Sequence, residues 1–128
     1  MAQLATPTEA AARLAELQDK MGLRDWDITL DLKPADDHTI AQCYTVTGRQ
    51  VANVLVSKEF WSASEEEQNL ALAHELVHCH LARLDEIHDA IAACVSPELA
   101  RMSSTVFGNQ IELTTDAIST AWARAFAT

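Results

Sequence analysis

The spacing of apolar residues changes along the chain, and each change marks an element. Residues 7–21 are rich in alanine and leucine, behind Thr6-Pro7-Thr8-Glu9. Thr6 can cap, Pro7 suits the first helical position and Glu9 completes a capping box, so a helix is predicted here, with Gly22 as its stop. Residues 26–32 then alternate. Trp26, Ile28, Leu30 and Leu32 fall on one side, and Asp27, Thr29 and Asp31 on the other, which predicts a half-buried strand. Residues 33–38 are polar, contain Pro34 and read as a loop. Residues 40–47 and 50–57 are rich in β-branched side chains, and Thr47-Gly48-Arg49 reads as the short connection of a hairpin. Three strands, expected to be antiparallel, therefore precede the second half of the chain.

That half reads as helical. Ser64 with Glu67 forms a second capping box, and Glu65, Glu66 and Glu67 suit the positive end of a helix dipole. The helix is expected to run from Glu65 to about Leu84. Residues 85–95 fit either a helical extension or a loop. Ser96-Pro97-Glu98 is a further start signal. A last helix is expected over about 110–125, with Ile111, Thr115, Ile118, Trp122 and Ala125 facing inward and Gly108-Asn109 as a break before it. The fold class is α+β: a small antiparallel or mixed sheet with helices packed on one face. A chain of 128 residues suits one domain spanning residues 1–128.

Charge and cysteine content narrow the function. Nineteen acidic and nine basic residues give a net charge of −10, with no basic cluster. Phosphate backbones and anionic membrane surfaces attract basic proteins, so neither is an expected partner. Cys43, Cys79 and Cys94 are odd in number and form no C-x-x-C pair, which points to a reducing compartment. The first residues lack a basic segment followed by an apolar run, and no apolar stretch approaches the ~20 residues of a membrane span. The expected location is cytoplasmic.

Chemistry enters at residues 74–78, His-Glu-Leu-Val-His, inside the Ser64-capped helix. Residues four apart share a helical face, so His74 and His78 can converge on one zinc ion. Glu75 points about 100° away around the helix, where it can reach a water at the metal rather than the metal itself. A catalytic zinc normally takes three protein ligands. Several residues are candidates for the third. Glu112 opens the last predicted helix, and Asp116 lies one turn on, suited to accept the free N–H of a ligand histidine. Asp85 stands about 10 Å along the axis from His78 if the helix continues. His88 would reach the site only through a chain reversal. His80 falls off the His74/His78 face and reads as a packing or capping histidine. Cys79 reads as a small buried residue, Trp26 and Trp122 as core, and Trp61 as a staple of the helix onto the sheet.

His74-Glu75-Leu76-Val77-His78 followed by Glu112-Leu-Thr-Thr-Asp116 resembles the gluzincins, the thermolysin-like branch of zincin metallopeptidases. The order helix, small sheet, motif helix, ligand helix is similar to the minimal zincin core. It also looks like short zincin-like proteins of phage and bacterial genomes, including the SprT-like and ImmA/IrrE-like groups. The resemblance implies Zn²⁺ as cofactor, His74, His78 and Glu112 as ligands, Glu75 as general base and Asp116 as a supporting partner, most naturally of His74. It implies hydrolysis of a peptide or protein substrate. The alternative is a zinc-binding interaction module without turnover. Leu81 and Leu84 stand where the metzincin branch requires Gly and His, and three cysteines cannot supply the zinc ribbon of many SprT-like proteins. No motif identifies an oxyanion-stabilising residue; Tyr44 and His88 are the candidates. The resemblance further implies that the strand entering the motif helix, with Ala52-Asn53-Val54-Leu55-Val56, lies antiparallel to substrate. The plain reading is an internal strand.

Overall fold

A computed structural model describes residues 3–33 and 39–127. The predicted 33–38 loop, apart from Lys33, lies outside the described residues. The first helix, α1, spans Pro7–Lys20. The Thr6 side chain accepts from the Glu9 amide at 3.2 Å, and the Thr6 hydroxyl donates to the Glu9 carboxylate. Met21 ends the helix, and Gly22 follows at φ +76°, a left-handed conformation that costs a side chain with Cβ.

The strands are β1 (Asp27–Leu32), β2 (Ala41–Thr45) and β3 (Val51–Val56). Their spatial order is β1-β3-β2. β2 and β3 form the expected antiparallel hairpin, whereas β1 runs parallel to β3, from Asp27 opposite Val51 to Leu32 opposite Val56. The sheet is thus mixed, within the α+β class expected, and β1 departs from the antiparallel arrangement expected of the three strands. β2 lies two strand spacings from β1, ~10 Å, and β3 fills the slot between them. β3 is consequently central and hydrogen-bonded on both sides. The strand implied to pair with substrate is therefore an internal one, and the edges are β1 and β2.

The register places Ile28, Leu30, Ala41, Cys43, Ala52, Val54 and Val56 against one hydrophobic cluster. Thr29, Asp31, Gln42, Tyr44 and Asn53 occupy the alternate positions, so the helices cover one face of the sheet. Leu32, expected inside, is 62% exposed, because it stands at the end of the outer strand. At the hairpin tip Gly48 takes φ +75°, and its amide donates to the Glu86 carboxylate at 2.8 Å, tying the tip to the second half of the chain.

A short helix, α2 (Lys58–Ser62), leads into α3 (Glu65–Ala92), whose Ser64 cap accepts from Glu67 N–H at 3.2 Å. Phe60 and Trp61 meet edge to face, with centroids 5.0 Å apart, and Trp61 packs, partly buried, against the core. α3 runs about two turns past the expected Leu84 end, since no breaker lies between His78 and Ala92. The final helix, α4 (Pro97–Ala127), starts at the expected signal but is continuous through Gly108-Asn109. One glycine costs ~1 kcal/mol in a helix, less than the packing along the α3–α4 seam supplies. The inward stripe is Ile111, Thr115, Ser119, Trp122 and Ala123; Ile118 and Ala125, expected inside, are exposed. Among the described residues no helix is long and apolar enough to cross a membrane.

Candidate metal centre and cleft

Burial of Leu72, Ala73, Leu76, Val77 and Cys79 fixes the rotation of α3 about its axis. His74 and His78 then fall at the margin of the buried face, with side chains 20% exposed and ring centroids 5.0 Å apart. On α4, Ile111, Thr115 and Ser119 seat into the seam, and the fully buried Thr115 hydroxyl donates back to the Ile111 carbonyl at 2.7 Å. That seating turns Glu112 and Asp116, the residues following Ile111 and Thr115, towards the histidine pair.

The Glu112 carboxylate bridges the two rings, with Oε2 3.4 Å from His74 Nε2 and Oε1 3.1 Å from His78 Nε2. On the far side of His74, Nδ1 lies 3.0 Å from Asp116 Oδ1. Asp116 thereby fixes which nitrogen carries hydrogen and leaves Nε2 facing Glu112. Among the described residues, His74, His78 and Glu112 form a trio able to hold a metal ion, each offering one donor atom, all within 4.8 Å of one another. Burial is the chief cause lowering the His78 pKa, which favours the neutral imidazole that a metal requires.

Glu75 is 6% exposed, and burial drives its carboxyl up to about 7; the Glu112 charge adds to the rise and Lys33 opposes it. A carboxyl tuned to neutrality can take and return a proton at physiological pH. Lys33 gave no signal in the sequence, being a single lysine after a strand. In the fold it is buried, bonds Thr39 at the cleft rim and lends Glu75 a compensating charge.

Glu75, the histidines and Glu112 open onto a cleft of about 560 Å³ whose opposite wall is β2, from Ala41 to Thr45. A neighbouring recess of about 390 Å³ is lined by Ile40, Ala41, Leu70 and Ala71, with His74, Glu75 and Asp116 at its border. Tyr44 lies on the cleft wall, 58% exposed, with its hydroxyl donating to Gln42 Oε1 at 3.2 Å. Asp85 lines the cleft as well, and burial raises its pKa, but it stands outside the His74–His78–Glu112 trio.

The continuous helix carries His88 ~15 Å along the axis from His78. There it stacks on Phe107 at 4.4 Å, with Nδ1 3.8 Å from Asp89 Oδ1, so the fold does not bring it to the trio. His80 faces the other way and bonds the carbonyl of Met21 at 2.7 Å, closing the end of α1 as a capping histidine. Comparison with protein-family models, with curated proteins and with solved structures returns no match to this chain.

Proposed function

We propose that the protein is a zinc-dependent peptidase whose metal is held by His74, His78 and Glu112. The observation that carries this reading is the convergence of these three donors from two helices onto one point, with Glu75 buried beside them. The three donor atoms, one from each residue, lie within 4.8 Å of one another, close enough to draw onto one ion. Two imidazoles and one carboxylate form a ligand set typical of catalytic rather than structural zinc.

Zinc, when bound, supplies a Lewis acid that polarises a carbonyl and acidifies water. Glu75 accepts the proton released as water attacks the scissile carbonyl carbon and delivers it to the leaving amine, whose bond to that carbon breaks. Asp116 holds the His74 ring so that Nε2 is directed to the metal. β2, at the edge of the sheet, offers main-chain groups to an extended peptide, and the Ile40–Leu70–Ala71 recess suits an apolar side chain beside the reacting bond.

Glu75→Gln tests the assignment against a zinc-binding module without turnover. The variant is expected to keep one zinc per chain and to lose cleavage of a peptide library by ~10²-fold or more. Hydrolysis at the wild-type rate rules out Glu75 as the base. Failure of the untagged wild-type chain to take up stoichiometric zinc removes the proposal altogether.

A further inference from the structure

Beneath the cleft lies a second cluster that the proposed chemistry does not use. Cys43 on β2 and Cys79 on α3 bring their sulfurs to 3.9 Å. Cys43 lines the cleft, while Cys79 is 2% exposed and follows His78 directly. Cys94 is exposed, in the turn between α3 and α4. Two thiols from different elements, 36 residues apart in sequence, thus meet between the cleft wall and the helix that carries His74 and His78. A disulfide needs its sulfurs about 2.05 Å apart, a closure of ~2 Å that side-chain rotation and a small approach of β2 to α3 supply.

We propose that Cys43 and Cys79 form a redox pair whose disulfide fastens the edge strand β2 to α3 and holds the cleft at one width. The oxidant is a small-molecule disulfide of the glutathione class. The cleft-facing Cys43, after giving its proton to solvent, attacks one sulfur of that disulfide and expels a thiolate. Cys79, deprotonated in turn, attacks the Cys43 sulfur and expels the second. Two protein thiols lose two electrons and two protons, and the reagent leaves as two thiols. The hydrogen bond to Cys79 and burial push the Cys43 thiol up. The covalent loop encloses β3, α2 and the first half of α3, leaving β2 no freedom to move away from His74, Glu75 and His78. Its bearing on turnover rests on the peptidase reading; the linkage itself does not.

The test uses the full chain carrying Cys94→Ser, incubated with oxidised glutathione or with dithiothreitol. Oxidised protein is expected to lose two hydrogens, to yield one tryptic species joining the Cys43 and Cys79 fragments, and to melt about 10 °C higher. The β2 amides are expected to exchange more slowly. Adding Cys43→Ser or Cys79→Ser abolishes the joined species and the shift in melting. Recovery of two free thiols, or of glutathione adducts without the joined species, overturns the proposal. A joined species with unchanged melting and unchanged β2 exchange overturns the clamp. Absence of hydrolysis in both redox states, with the joined species present, counts against the peptidase reading alone.

Discussion

His74 Nδ1 lies 3.0 Å from Asp116 Oδ1, so the ring is held from the side opposite Glu112. Outer partners of this kind orient a ligand imidazole and raise its basicity. Asp116→Ala is expected to weaken zinc binding by about 10–100-fold without preventing folding. Competition against a chromophoric chelator measures it, and unchanged affinity would remove Asp116 from the site.

Glu112 touches both rings, at 3.4 and 3.1 Å, and is expected to matter more. Glu112→Ala leaves two ligands where catalytic zinc sites hold three, so its affinity is expected to fall below that of Asp116→Ala. His88→Ala is the control: its zinc affinity stays at the wild-type value, because the ring stacks on Phe107 away from the trio. A fall for His88→Ala with none for Glu112→Ala would reverse the ligand assignment.

The stability of the metal-free protein is expected to depend on Glu75. Its carboxyl moves from an ordinary 4.5 to about 7 on folding, chiefly by burial. Between these values the unfolded chain has released the proton and the folded chain has kept it. Stability is therefore full below about pH 4.5 and is lost as pH rises through 7, by about 3 kcal/mol. Urea unfolding of Glu75→Gln is expected to lack this decline and to exceed the wild type at pH 8. Parallel pH profiles for the two proteins would refute the raised pKa.

Gln68 is fully buried, accepts from Leu4 N–H at 2.8 Å and donates to the Leu4 and Phe60 carbonyls, both at 2.9 Å. Gln68→Leu leaves a buried amide and two carbonyls without this partner. The expected cost is about 2–4 kcal/mol in urea unfolding. A loss under 0.5 kcal/mol, of order one ordinary surface change, would mean that another group takes over these bonds.

Gly108 lies within α4, and a methyl added there meets nothing within 4 Å. Gly108→Ala is expected to stabilise the protein by about 0.5–1 kcal/mol, read as a higher melting temperature. A lower one would show that α4 needs a break at this point after all.

Local chemistry was legible from the chain itself. Thr6 and Ser64 announce their helices because a cap needs only residues three or four positions away. His74, Glu75 and His78 are legible for the same reason: one turn of helix sets their mutual placement, and no distant contact is needed. Glu112 and Asp116 share a face by the same rule, yet their spacing could not say what that face meets.

Tertiary structure decided the rest, through contacts between residues far apart in sequence. The packing of Ile111, Thr115 and Ser119 into α3 turned Glu112 towards the histidines. The unbroken course of α3 carried His88 out of range. Insertion of β3 beside β1 made β2, rather than β3, the second edge strand, since alternation specifies a strand's faces and not its neighbours. Lys33 acquired its relation to Glu75, and Cys43 its relation to Cys79, only when sheet and helix closed over each other. The motif is thus local in origin, whereas the cleft, its wall and its charges depend on the order in which three strands lie side by side.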